Sequence, residues 1–176
     1  AVFANNGLDP VDMGRAMRFT RQVYDVAKST ADSATATAKI KSLVRDYVAS
    51  LPADEQTNAT SDGLAESAEA VTGAWSRYLL RYDPRTALRR VHVPVLAIDG
   101  TLDNVVTAHE NLGAINDALK AAGNADYRVL VVPKLNHSLQ TAVTGSPSEA
   151  ATLDETISPP LLELLTSWIT ERFGKK

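Results

Sequence analysis

Two residues of this chain have the types and spacing of an acid–base pair. Asp103 lies four residues past a first apolar run in the string Asp99-Gly100-Thr101-Leu102-Asp103. His137 lies four residues past Pro133, which closes a second apolar run. If the two runs are adjacent parallel strands about 5 Å apart, the loops at their carboxyl ends bring a carboxylate against an imidazole. The carboxylate then fixes the imidazole tautomer and stabilises the imidazolium, while the imidazole takes a proton from a nucleophile. Asp99 is the competing acid; just before Gly100, it is expected to shape the turn by bonding its side chain to the backbone. His92 and His109 read as a strand-edge residue and a solvated residue in a first helical turn. The chain has no Cys, so thiolate nucleophiles, disulfides and Cys-ligated metals are ruled out. Asn58-Ala59-Thr60 is a formal glycosylation sequon, a triplet short enough to arise by chance.

The elements that must hold this pair are a strand, a helix and a strand. Val93-Pro94-Val95-Leu96-Ala97-Ile98 and Tyr127-Arg128-Val129-Leu130-Val131-Val132 are near-continuous apolar runs, as parallel strands buried on both faces require. Between them Leu112, Ile115, Leu119 and Ala122 mark an amphipathic helix that stops near Gly123-Asn124. Ser158-Pro159 opens a last helix, with Leu161, Leu164, Leu165, Trp168, Ile169 and Phe173 predicted to face a core. The first 80 residues read as helices instead. Asp9-Pro10 starts one, with Met13, Ala16, Met17, Tyr24 and Ala27 largely on one face. Ile40, Leu43, Val44, Tyr47 and Leu51 mark a second. Pro52 to Asp62 is expected to be a polar loop. Trp75, Tyr78, Leu79 and Tyr82 repeat the helical spacing, the first two read as core residues, and Asp83-Pro84 starts a short helix.

Length and charge narrow the function classes. A chain of 176 residues with 44% hydrophobic side chains can bury about two thirds of its unfolded surface. Its 18 basic and 21 acidic residues give a net charge of −3. They divide as 8 and 10 in residues 1–80 and as 10 and 11 beyond, so neither half carries the basic footprint of a nucleic-acid binder. No apolar run approaches the 18 residues or so of a membrane span, which predicts a soluble protein with cytoplasm and periplasm both open. Two buried parallel strands do not make a stable sheet alone. The pattern therefore predicts an incomplete sheet, its other strands lying elsewhere or coming from another chain.

The stretch Tyr82-Asp83-Pro84, Val93 to Gly100, Leu102-Asp103, Leu135-Asn136-His137, Gly145-Ser146-Pro147-Ser148-Glu149 and the Ser158-Pro159 helix resembles the C-terminal part of an α/β-hydrolase, in its bacterial esterase and dienelactone-hydrolase-like branch. The resemblance covers roughly residues 75–173. It implies an α/β class: a partial hydrolase core over 83–176, made of a parallel βαβ unit and a final helix, behind a helical lid over 1–82. It also implies that Asp103 is the acid and His137 the histidine of a Ser-Asp-His triad acting on a small-molecule carboxylic ester, with no cofactor and no metal. The order nucleophile, acid, histidine is kept by the two members present. No Gly-x-Ser-x-Gly elbow occurs, and Gly145-Ser146-Pro147 falls after the histidine. The serine would thus precede Ala1, and this chain alone is expected to be inert toward esters.

Two other classes stand beside this one. Asp99-Gly100-Thr101-Leu102-Asp103 resembles the Mg²⁺-binding motif of haloacid-dehalogenase-type phosphatases, but Ala97 occupies the position of the attacking carboxylate. A non-catalytic α/β interaction module is the other, completing its sheet as a strand-exchanged homo-dimer or against the missing N-terminal half. An unpaired strand edge predicts such association.

Overall fold

The computed structural model describes residues 10–58 and 61–174. The Asp9 cap and residues Ala59 and Thr60 of the sequon lie outside the described residues. The chain divides between Asp83 and Pro84 into two compact units.

The first unit is helical: α1 (Pro10–Ser29), α2 (Ser33–Ala49), α3 (Ala53–Asn58), α4 (Ser61–Glu69), a 3₁₀ turn (Ala70–Thr72) and α5 (Ala74–Arg81). Asp32 caps α2, its carboxylate accepting from Thr35 N–H at 2.8 Å. Val23 of α1, Ile40 and Val44 of α2 and Ala68 of α4 form the core, with Phe19, Val48 and Leu64 packed around them. Phe19 and Tyr47 stack at 4.3 Å. On α1, Met17 and Tyr24 face out, and Val23 and Ala27 are the buried pair.

Two expectations fail in this unit. Pro52 to Asp62 is not a loop: α3 and the start of α4 occupy it. Ala53, Glu55 and Gln56 favour α3 by propensity, with Gln56 Nε2 donating to Leu51 O at 2.7 Å, and such a helix has no apolar stripe to betray it. The aromatic face of α5 is not core either. Trp75, Tyr78 and Leu79 are more than half exposed, and the buried residue is Arg77. The Arg77 guanidinium donates to Ala27 O at 3.2 Å and to Thr30 O, and Arg81 donates to Lys28 O at 2.7 Å and Thr30 O at 2.8 Å. These carbonyls lie at or just past the end of α1, where acceptors lack helical partners and the dipole is negative. Two cations thus pull one side of α5 inward and turn its rings outward.

The second unit follows the α/β pattern in small. It comprises α6 (Arg85–Leu88), β1 (Val95–Gly100), α7 (Ala108–Ala121), β2 (Tyr127–Val132), α8 (Pro147–Ala150) and α9 (Pro159–Phe173). β1 and β2 are parallel, paired from Val95↔Tyr127 to Gly100↔Val132, and form a two-stranded sheet. Asn124, buried after α7, donates to both Val91 O and Val93 O at 2.9 Å and so fixes the approach to β1. Arg172 of α9 pairs with Asp126, with its Nη2 2.6 Å from Oδ1, and lies over the Trp168 ring. Leu161 is the buried residue of α9, whereas Ile169 and Phe173 are 52% and 64% exposed. That corrects the expectation of a continuous core face on this helix: two strands are too narrow to cover it. Among the described residues no helix is long and apolar enough to cross a membrane.

Candidate functional site

The register of β1 and β2 ends on Gly100 and Val132, and the two loops carrying Asp103 and His137 leave from that edge together. Their approach is close. Thr101 N–H continues the ladder to Val132 O, Leu102 N–H reaches Leu135 O, both at 3.0 Å, and Thr101 Oγ1 accepts from Lys134 N–H at 2.9 Å. A side chain at Gly100 would put its Cβ 2.0 Å from Leu135 O, so only glycine allows this contact.

His137 sits inside a tight turn closed by its neighbours. Asn136 and Gln140 bond reciprocally, Gln140 N–H to Asn136 Oδ1 at 2.9 Å and Asn136 Nδ2 to Gln140 Oε1 at 3.0 Å. Leu139 N–H donates to Asn136 O, and Leu139 takes a positive φ of 61°. Gln140 Nε2 then donates to Glu155 O at 2.7 Å, and Leu139 O accepts from Ser158 N–H, anchoring the turn to the start of α9.

The structure brings the two predicted residues together. His137 Nδ1 lies 2.9 Å from Asp103 Oδ2. The Asp103 side chain is 7% exposed and the imidazole 53%. Asp103 Oδ1 accepts from Val105 N–H at 2.9 Å and Val106 N–H at 2.7 Å. Burial alone would raise this carboxyl. The Val106 N–H, the His137 contact and the Val105 N–H outweigh it and hold the carboxyl below the ordinary value. An ionised carboxylate only accepts, so the hydrogen in this contact sits on His137 Nδ1, and in the neutral ring the lone pair is then at Nε2.

Asp99 does what the turn reading expects. Its Oδ1 accepts from Gly100 N–H at 2.7 Å. It is also buried beside Asp103; burial pushes its carboxyl up, the Gly100 bond opposes this, and the Asp103 carboxylate adds to the rise. His92 and His109 are exposed. Among the described residues no group of three or more His, Asp or Glu side chains is placed to hold a metal ion.

Glu149 is the residue that sequence reasoning passed over. Its carboxylate accepts from Val143 N–H at 2.7 Å, Thr144 N–H at 2.9 Å, Gly145 N–H at 2.8 Å and Thr144 Oγ1 at 2.6 Å. The Thr144 hydroxyl and Val143 N–H, then the other two amides, hold it down at about 2. The loop it gathers packs on the acid loop: a Cβ at Gly145 would lie 2.1 Å from Leu102 O, and Asn104 Nδ2 donates to Thr144 O at 3.1 Å. The sequence signal was Ser146-Pro147-Ser148-Glu149, where Ser146 caps α8 and Glu149 stands at N3. Glu149, however, reaches past the capping serine's own N–H to three amides before it.

The arrangement is an imidazole held by a buried carboxylate that two backbone amides also orient. It can accept a proton at Nε2 and return it. No protein-family model matches the chain, and neither a curated protein nor a solved structure matches it.

Proposed function

We propose that the chain supplies the base and its orienting acid to a serine hydrolase of carboxylic esters. The observation that carries this reading is the 2.9 Å contact between His137 Nδ1 and a carboxylate pinned by two further N–H groups, with Nε2 of a half-exposed ring unbonded among the described residues. In the reaction, Nε2 takes the proton of a serine hydroxyl, and the serine oxygen adds to the ester carbonyl carbon. The carbon–oxygen bond to the alcohol then breaks, its electron pair staying on the departing oxygen, which collects the proton from Nε2. Water repeats the cycle on the acyl-serine. Asp103 stays ionised throughout and stabilises the imidazolium. None of the 176 residues forms a Gly-x-Ser-x-Gly elbow, so this reading takes the serine from a segment beyond them. Ser146 is a poor substitute, since its Oγ is engaged by Glu149 N–H at 3.1 Å and Ser148 Oγ at 3.0 Å.

Nitrogen-15 spectra of the imidazole test the base directly. The wild-type ring is expected as the Nδ1–H tautomer, and Asp103→Asn should shift it toward Nε2–H; an Nε2–H ring in the wild type would sink the proposal. In the protein joined to its serine segment, His137→Ala should lower kcat by at least about 10³-fold.

A second reading has its own observation. Val131 is 50% exposed on β2, and with Ile169 and Phe173 it leaves apolar surface open around a two-stranded sheet. This favours a module that associates through its sheet, with a second copy or with a further segment. Light scattering after size exclusion separates the two: a monomer at micromolar concentration counts against association.

A further inference from the structure

We propose that a cavity of about 190 Å³ beside the dyad is the subsite for the leaving alcohol of the ester, and that it favours short alkyl alcohols. This rests on the hydrolase reading above. The cavity is walled by His137, Val105 of the acid loop, Ser138, and Ser146, Pro147 and Ala150 at α8.

Proton transfer sets the identity of the occupant. Nδ1 is committed to Asp103, so the leaving oxygen must collect its proton from the rest of the same ring, within hydrogen-bond reach of Nε2. A group bonded to that oxygen lies against the imidazole, and His137 is one wall of this cavity. The acyl group, attached to the carbon under attack, lies farther off.

The lining sets its chemistry. Val105, Pro147 and Ala150 present aliphatic surface and no charge. The Ser146 hydroxyl is already engaged, and the Ser138 hydroxyl has no partner among the described residues, which leaves it available to an alcohol oxygen. The volume holds about six non-hydrogen atoms at roughly 30 Å³ each. The wall is also stiff. Four bonds to the Glu149 carboxylate hold residues 143–145, and Gly145 is pressed on Leu102, so the space does not widen freely.

Two measurements test this separately from the hydrolase reading. The first uses the chain as it stands, titrated with butan-1-ol, following the amides of Ser138, Gly145 and Ser146 and the His137 ring nitrogens. Saturable shifts are expected, weakened at least fivefold by Ala150→Phe, which fills the cavity; Val105→Phe fills it from the acid loop should the first variant not fold. Shifts that grow linearly with alcohol, or that neither variant alters, overturn the subsite. The second uses the protein joined to its serine segment, with acetate esters from methyl to hexyl. There kcat/KM should rise about 2–4-fold per methylene and level off near butyl or pentyl, and Ala150→Phe should lower the butyl-to-methyl ratio about tenfold. Ester hydrolysis with a flat alcohol series overturns the subsite alone. Saturable butanol binding with no hydrolysis of any ester overturns the hydrolase reading and, with it, the role given to the cavity.

Discussion

At the scale of single residues, the site turns on two carboxyls with opposite fates. Asp103 receives N–H groups on both oxygens and stays ionised, whereas the adjacent Asp99 has one N–H, is buried, and faces the charge of Asp103. A carboxyl raised by folding binds its proton more tightly in the folded than in the unfolded chain. It therefore favours the fold at acid pH, and that contribution is lost as pH rises from its unfolded value through its folded one. Above that window an ionised Asp99 is a cost to the fold. Asp99→Asn keeps an oxygen for Gly100 N–H and removes the charge. Thermal unfolding should show Tm raised by a few degrees at pH 7 and by less at pH 3; an unchanged Tm at pH 7 would contradict the repulsion. Asp103 and His137 were legible in the sequence because strand ends and loop lengths are local properties. Asp99 was legible as a turn former for the same reason, but not as a strained neighbour of Asp103, since that depends on how a loop folds back.

At the scale of elements, the loop preceding α8 is built on one side chain. Glu149 has its carboxyl at about 2 against an ordinary 4.5, through hydrogen bonds from Thr144, Val143 and Gly145. A depressed carboxyl stabilises above its unfolded value, and that stabilisation is lost as pH falls from about 4.5 toward about 2. Hydrogen exchange at neutral pH should show the amides of Val143, Thr144 and Gly145 losing protection in Glu149→Gln. Protected amides in that variant would mean that backbone packing, not the carboxylate, holds the loop. Helices gave a mixed lesson. The apolar spacing around Ile40 and Val44 announced α2, whereas α3 announced nothing, because a short polar helix is carried by propensity and by its neighbours. Glu149 lay in plain sight at a capping position, yet its reach to three amides upstream depends on the fold of the turn before it.

At the scale of the whole molecule, two units are stabilised by different means. The helical unit depends on buried arginine: Arg77, 7% exposed, meets carbonyls of residues about 50 positions earlier. Truncating it leaves Ala27 O unpaired and Thr30 O with Arg81 alone, so Arg77→Ala should destabilise that unit by about 1–3 kcal/mol, with Arg77→Lys recovering little because an ammonium lacks the planar fork. Amide exchange should quicken in α1, α2 and α5 and stay unchanged in β1 and β2. Equal quickening everywhere would show the two units unfolding as one.

The sequence by itself determined that Asp103 and His137 meet, the βαβ order that carries them and most of the helices, because side-chain periodicity and strand–loop spacing are written in neighbouring residues. Only the tertiary structure decided which ring nitrogen of His137 meets Asp103, that Glu149 braces the acid loop, and that α5 buries its arginines and exposes its rings. Those outcomes depend on partners up to some fifty residues apart, and on which surfaces a two-stranded sheet is wide enough to cover.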